Sequence, residues 1–369
     1  MEIQTPSTEL NSSLIDIEKN IENNEEKINV PFRRFFEIDY DKCIDGKDNT
    51  NIMRKLKYRQ REGGEVKLAM HFGQRKLLLT EIEFLTNCGN LSDTVVYVGS
   101  APGYHIKLLT KYFPNHKFEL YDPSKFGIDQ TDNVKIHQLL FTDAIAQNYV
   151  GKGILFISDI RTDMHKYTEE WEEEIIDNMN TQKKWVEIID PKMSMLKFRL
   201  PYNPGITKYF SGKIYFQPWV GQSSTETRLI TNGKEYTLYD NTDYEQILYR
   251  HNRITRNQKF DHQYTKIEGL DYCYDCKAEI EILTRYINLC KLKKMIKSED
   301  KNEMILKKII YEISETLHID LTEPPHYIFK DLPRKEREEK LKKYALEYTN
   351  KEKNKKNEKP EKCTDDFIS

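Results

Sequence analysis

A short β-branched run, Asp93-Thr94-Val95-Val96-Tyr97-Val98, breaks into Gly99-Ser100-Ala101-Pro102-Gly103, and the next apolar run, Lys117 to Tyr121, stops at Asp122. In an open parallel sheet, ligands bind beyond the carboxyl ends of the strands, where the strand order reverses. Glycines there let a ligand approach the backbone, and the helix that follows offers free N–H groups. A carboxylate at the next strand end can bind both hydroxyls of an adenosine ribose. Together these residues describe a pocket for a nucleoside cofactor. The loop is neither G-x-G-x-x-G nor G-x-x-x-x-G-K-[ST], the forms that grip phosphates. That favours S-adenosylmethionine over NAD or ATP and disfavours a dehydrogenase. The bland alternative is a glycine-rich turn with no ligand.

A second set of reactive residue types is Cys273-Tyr274-Asp275-Cys276. Zinc would need two more ligands, from Cys290 or His262 for example, and no second pair stands at zinc spacing. The expectation is therefore two buried thiols in a helix and no metal.

The elements that must position these residues follow from periodicity. Residues 74–88 carry Leu78, Ile82 and Leu85 at helical spacing. His105 to Phe113 reads as the helix after the glycine loop. Gly153 to Ile157 reads as a strand ending in Ser158-Asp159, Trp185 to Ile189 as a helix end, and Ser194 to Leu200 as a strand. Lys213 to Trp219 and Thr225 to Thr231 read as the last strands, paired antiparallel. From Asp261 to Leu321 the pattern turns helical. Strands alternating with helices imply a mainly parallel sheet with helices on both faces.

The chain of 369 residues fits one large α/β domain with tails. Residues 1–30 hold seven acidic and two basic side chains and read as a disordered acidic segment. Residues 31–325 form the domain, with the helical extension from about 261, and residues 326–369 a charged, Lys-rich tail. The net charge of −2 does not announce a nucleic-acid binder. No run of apolar residues is long enough for a membrane span, and six scattered cysteines suit a reducing compartment.

Further segments carry a resemblance. Gly73-Gln74-Arg75-Lys76-Leu77-Leu78-Leu79 precedes the glycine loop, and Ile157-Ser158-Asp159-Ile160-Arg161, Ser194-Met195-Leu196-Lys197-Phe198-Arg199 and Thr225-Glu226-Thr227-Arg228-Leu229 follow it. Asp243-Tyr244-Glu245 and Asn252-Arg253-Ile254-Thr255-Arg256-Asn257 come last. In order and spacing this resembles the poxvirus-type cap-specific mRNA nucleoside-2′-O-methyltransferases, which also serve as processivity subunits of the viral poly(A) polymerase. The resemblance implies a Rossmann-like S-adenosylmethionine-dependent methyltransferase fold acting on capped mRNA, a poly(A) polymerase catalytic subunit as partner, and a place in the host cytoplasm or virion. A non-catalytic RNA-clamping processivity factor is the rival role.

The family's catalytic set falls on Lys76, Asp159, Lys197 and Glu226. A ribose 2′-hydroxyl is a poor nucleophile, so methyl transfer needs its proton removed as it attacks. A lysine with a depressed pKa can be that base. Lys197 is the candidate, with Lys76 as its cationic neighbour and the two acids orienting the amines. The cofactor set falls on Gln74, Tyr97, Gly99, Gly103, His105, Asp122 and Asp159. Where the family has a basic residue two places beyond the ribose carboxylate, this chain has Ser124. The family holds a methylated guanine between two aromatic rings with acids at its edge. One ring falls on Tyr202, the other on Tyr40, and one acid on Glu245. Pro204 stands where the second acid would be.

Overall fold

The computed structural model describes residues 32–36, 55, 73–162, 171–221, 224–264 and 267–319. Tyr40, the acidic segment 1–30 and the Lys-rich tail 326–369 lie outside the described residues. The elements are β1 (Phe35–Phe36), α1 (Gly73–Cys88), β2 (Thr94–Val98), α2 (Ile106–Tyr112), β3 (Lys117–Tyr121), β4 (Val134–His137), α3 (Asp143–Gln147), β5 (Leu155–Ser158) and α4 (Trp171–Ile189). After them come β6 (Met193–Phe198), β7 (Ile206–Phe210), β8 (Lys213–Tyr215), β9 (Thr227–Thr231), β10 (Tyr236–Asp240), α5 (Asn241–Arg253), a 3-10 turn (Thr255–Asn257), α6 (Tyr274–Leu292) and α7 (Asn302–Leu317).

Eight strands form one sheet in the order β1-β8-β9-β6-β5-β2-β3-β4. The run β6-β5-β2-β3-β4 is parallel, whereas β9, β8 and β1 join antiparallel. From β2 the chain moves to β3 and β4 on one side and returns to β5 on the other. The order therefore reverses between β2 and β5, and a crevice opens beyond their carboxyl ends. This is a Rossmann-like α/β fold.

Alternation along the strands builds two cores. Val95 and Tyr97 of β2 pack with Leu78, Leu79 and Ile82 of α1, Leu109 of α2 and Leu283 of α6. Val96 and Val98 pack on the other face with Ile175, Met179 and Val186 of α4. The sheet is thus a buried middle layer, which is why its strands are near-continuous Val/Ile/Leu/Phe runs.

The expected helix at 74–88, the strands ending at Asp122 and Asp159, and the antiparallel pairing of β8 with β9 are all present. Three expectations need correction. The strands expected last are followed by β10, which pairs with β7 as a separate two-stranded ribbon. The Lys213 strand stops at Tyr215, because Phe216-Gln217-Pro218 leaves the ladder toward Trp219, which has φ +60°. The C-terminal helices begin at Tyr274 rather than near 261. No helix among the described residues is long and apolar enough to cross a membrane.

Candidate active site

Four side chains from four elements meet at one end of the sheet. Lys76 stands in the first turn of α1, Asp159 just past β5, Lys197 near the end of β6 and Glu226 just before β9. Because β6 and β9 are antiparallel, the end of one lies beside the start of the other, and Lys197 pairs in register with Arg228. The Lys76 Nζ donates to Glu226 Oε1 at 2.6 Å. Lys197 Nζ lies 3.0 Å from Asp159 Oδ1 and 3.7 Å from Glu226 Oε2. Only a little of either amine's side chain, 11%, is exposed. Alternation along β6 turns Lys197 away from the core that takes Leu196 and Phe198.

Arg228 is a fifth member that the sequence reading did not single out. Its guanidinium donates to Asp159 and lies 3.6 Å from Glu226. The signal was present: Glu226 and Arg228 are two apart at the start of a strand, so they share a face.

The electrostatics follow from this count. Three cations, Lys76, Lys197 and Arg228, face two carboxylates, leaving one positive charge in excess. Burial pushes the Asp159 carboxyl up, but Arg228 and Lys197 overcome it and hold it below the usual range. Glu226 is held well down in the same way, against burial, by Lys197, Lys76 and Arg228. The Lys76 ammonium is pushed down, first by burial and then by Arg228, against the pull of Glu226. Arg161 is likewise lowered by burial, within Coulombic reach of Glu226, Arg199 and Asp159.

The glycine loop closes the adjoining end of β2. Gly99 has φ +79° and Gly103 φ +75°, a region that side chains other than glycine rarely enter. A Cβ on Gly99 would sit 2.8 Å from the Asp159 carbonyl carbon and 2.9 Å from the Ile160 nitrogen. The loop and the catalytic-side strand end are therefore pressed together. Asp122 Oδ2 accepts the Ala101 N–H at 3.1 Å and Oδ1 the Ser124 N–H at 2.8 Å. An ionised carboxylate has roughly four acceptor positions, so both oxygens keep capacity for hydroxyl donors.

Gln74, Tyr97 and His105 form one hydrogen-bonded wall beside this loop. The Gln74 Oε1 accepts the His105 N–H and contacts its Nδ1 at 2.8 Å. The buried Glu81 accepts the Tyr97 hydroxyl at 2.7 Å and contacts His105 Nε2 at 3.0 Å. Burial and Glu81 raise the Tyr97 phenol well above its ordinary range, so it stays a neutral donor. Glu81 was also overlooked. Its only mark in the sequence is a charge inside the apolar stretch of α1. Arg75, the neighbour of Lys76, is pinned by Glu279 of α6 at 2.7 Å, and Glu279 also accepts the Trp219 indole N–H at 2.9 Å.

Tyr202 stands in the loop after β6, 37% exposed. The Arg199 guanidinium lies 4.0 Å over its ring and 5.1 Å from that of Trp171. Glu172 binds Arg199 at 2.7 Å and accepts the Tyr202 N–H at 2.9 Å. Glu245, on α5, belongs to the same neighbourhood: burial raises its carboxyl, Arg199 opposes this, and Glu172 adds to it. Trp171 and Glu172 carry no sequence signal of their own, and Arg199 appears only as the last residue of a matching segment. Tyr202 and Glu245 thus share Arg199 and Glu172 as neighbours, and the Tyr202 hydroxyl accepts from Thr225 Oγ1 at 3.3 Å, one residue from Glu226.

Fold, glycine loop and strand-end carboxylate define a Rossmann-like α/β domain with a candidate nucleoside pocket at its strand ends. A family model described as poly A polymerase regulatory subunit matches residues 48–316, and the chain belongs to that family. It is 30% identical over 219 residues to the cap-specific mRNA (nucleoside-2′-O-)-methyltransferase of Myxoma virus (strain Lausanne), covering 51% of this chain and 62% of the relative. The protein of the same name from Fowlpox virus (strain NVSL) is 33% identical over 181 residues, covering 43% of this chain and 57% of the relative. The chain thus spans about three fifths of these relatives' length. Bluetongue virus VP4, titled a multifunctional RNA-capping production line, aligns with a TM-score of 0.36 at 13% identity over 74% of this chain and 54% of its own.

Proposed function

We propose that the chain transfers a methyl group from S-adenosylmethionine to the ribose 2′-hydroxyl of the first transcribed nucleotide of capped mRNA. The observation that carries this reading is the buried cluster of Lys76, Asp159, Lys197, Glu226 and Arg228 beside a glycine loop with a carboxylate at the next strand end. The names of the relatives agree with it.

The residues present fit the cofactor. Gly99 and Gly103 keep the loop free of side chains where a nucleoside would lie, and Asp122 retains acceptor capacity for two ribose hydroxyls. When bound, the sulfonium supplies an activated methyl group. This chain must then remove one proton and orient one oxygen. Lys197, held by Asp159 and Glu226, is placed to take the proton of the 2′-hydroxyl. Lys76 and Arg228 keep the two acids ionised, so that the acids orient the amines and do not compete for the proton. No step calls for a metal.

Tyr202 and Glu245 are proposed to receive the methylated guanine of the cap. The family description also supports a poly(A) polymerase catalytic subunit as partner, and a host-cytoplasmic or virion location would follow. A methyl-transfer assay with S-adenosylmethionine on capped and uncapped RNA of one sequence tests the reading. Transfer to the 2′-position of the first nucleotide of capped RNA is expected. Absence of transfer to either RNA would leave only the processivity role.

A further inference from the structure

The segment before α6 folds into a compact hook. It brings Asp271, Cys273 and Cys276 together, with one ligand atom of each within 4.8 Å of the others and all three residues buried. We infer that Asp271, Cys273 and Cys276 bind a structural zinc-type divalent cation, with His262 or a water in the fourth position.

The donor set argues for this class of ion. Two thiolates with a carboxylate suit zinc, whereas magnesium and calcium take oxygen ligands. Zinc–sulfur bonds of about 2.3 Å in a tetrahedron require ligand atoms within roughly 4 Å of one another, close to the arrangement here. The spacing C-x-x-C is that of zinc knuckles.

Backbone geometry adds an independent argument. Both sulfurs accept N–H hydrogen bonds: Cys273 Sγ from Cys276 N at 3.4 Å and Cys276 Sγ from Asp271 N at 3.2 Å. Cys273 is also the N-cap of α6, a helix of 19 residues, so its sulfur lies at the positive end of a long dipole. Both hydrogen bonds fix the direction of the two sulfurs within the hook. The ligand carboxylate is oriented too, since Asp271 Oδ1 accepts the Cys273 N–H at 2.7 Å.

His262 fits the remaining position by its hydrogen bonding. Its Nε2 lies 2.6 Å from the Asp271 carbonyl oxygen, which can only accept, so Nε2 carries the hydrogen and Nδ1 keeps its lone pair. That Nδ1 is buried and has no hydrogen-bond partner among the described residues. A histidine whose other nitrogen donates to a backbone carbonyl is the usual second-shell arrangement of a metal ligand. In this structure His262 lies outside the group of three, so it would reach the ion by a shift of the hook that keeps its hydrogen bond to Asp271. Cys290, the other cysteine considered, packs instead in the core with Tyr286 and Ile287.

A redox dithiol is the competing use of C-x-x-C. Both sulfurs are buried, with no exposed thiol to attack a partner. A structural role has a clear object. The hook fixes the start of α6, where Asp275 binds Arg256 at 2.6 Å and, one turn on, Glu279 pins Arg75 beside Lys76.

The test uses the full chain, purified without chelators and without a metal-affinity tag. Mass-spectrometric metal analysis should find about one zinc per chain. After chelator treatment, Co²⁺ should restore a thiolate-to-cobalt charge-transfer band with tetrahedral d–d bands. Cys276→Ser should weaken metal binding tenfold or more, the scale of ligand-shell losses, while Cys290→Ser leaves it unchanged. Should Cys276→Ser fail to fold, protection of Cys273 and Cys276 from alkylation by zinc in the unmutated chain is the deciding measurement. Zinc-free protein without cobalt–thiolate bands overturns the inference. So does equal alkylation with and without zinc, or a Cys273–Cys276 disulfide in the purified chain.

Discussion

The lysine–carboxylate cluster and the Tyr202 loop are both places where a cation meets acids, yet they are built differently. In the cluster every side chain stands at or beside the end of a regular element, and the β-ladder fixes the spacing: Lys197 opposite Arg228, Ser158 opposite Leu196. Around Tyr202 the partners come from a loop and the first turn of α4, and the aromatic ring is already engaged by Arg199. The first region is set by the fold as a whole. The second is set by a few local contacts in a loop. On the proposed reading, chemistry is held on the scaffold and recognition on loops.

The sharpest way to break this contrast is to change the base alone. Lys197→Arg keeps the charge and the Asp159 contact but cannot deprotonate. It should lower single-turnover methylation by about 10²–10⁴, with cofactor affinity and the folded state preserved. Lys76→Arg should cost less, because Lys76 is proposed as a charge neighbour. If Lys76→Arg proves the more damaging of the two, the depressed ammonium of Lys76 becomes the better base and the assignment moves.

Arg228→Met asks whether the cluster is a single electrostatic unit. Asp159 and Glu226 are held below their ordinary ranges, so their contribution to stability is present above about pH 4 and is lost as pH falls through their lower folded values. Removing Arg228 takes away a cation that holds both down. It should destabilise the protein by about 3–5 kcal/mol, as breaking a buried pair does, and move the acid limb of the stability curve to higher pH. Denaturant titrations from pH 3 to about pH 7 would read both. An unshifted acid limb would mean that the lysines alone fix the acids.

Much of this half was legible in advance. Asp122 and Asp159 end apolar runs, and Lys76 opens a periodic helix. Lys76, Lys197 and Glu226 were named through the resemblance alone, since a charge at a helix start or strand end carries no mark of its chemistry. Arg228 and Glu81 were missed because a lone charge inside an apolar run looks the same whether it is paired or merely tolerated, and only packing decides. The ribbon of β7 and β10 was missed for a related reason. It is half exposed, and its Ile-Thr-Lys-Tyr-Phe and Tyr-Thr-Leu-Tyr-Asp runs look like loop as much as strand. The role of Asp271 was hidden because a search for zinc ligands by Cys and His spacing passes over a carboxylate.

A milder probe lies at the junction of the two regions. Asp122→Ala removes the acceptor for Ala101 N–H and for the proposed ribose hydroxyls. Cofactor affinity by calorimetry should fall by about 1–3 kcal/mol, the scale of hydrogen bonds to a charged group. Unchanged affinity would detach Asp122 from the pocket and leave it as a brace of the glycine loop.

The smallest effects are expected at Tyr202, and they test whether this loop recognises a cation at all. One face of the ring is covered by the Arg199 guanidinium at 4.0 Å, so a methylated guanine would have to use the opposite face. A cation already on the ring draws on the same quadrupole that a second cation needs, which weakens the second stack. At 37% exposure the remaining stack should contribute about 0.5–1 kcal/mol. Tyr202→Ala should therefore raise KM for capped RNA only about two- to fivefold, with kcat and cofactor affinity unchanged. Arg199→Met separates the two faces. It removes the competing cation, so the preference for methylated over unmethylated cap should grow relative to the unmutated chain. It also leaves Glu172 without its partner and should lower stability by about 1–3 kcal/mol. Competition binding with methylated and unmethylated cap analogues at equal ionic strength measures the preference directly. A preference that Tyr202→Ala and Arg199→Met both leave untouched would place guanine recognition elsewhere on the protein and reduce the Trp171–Arg199–Tyr202 stack to a brace for the loop.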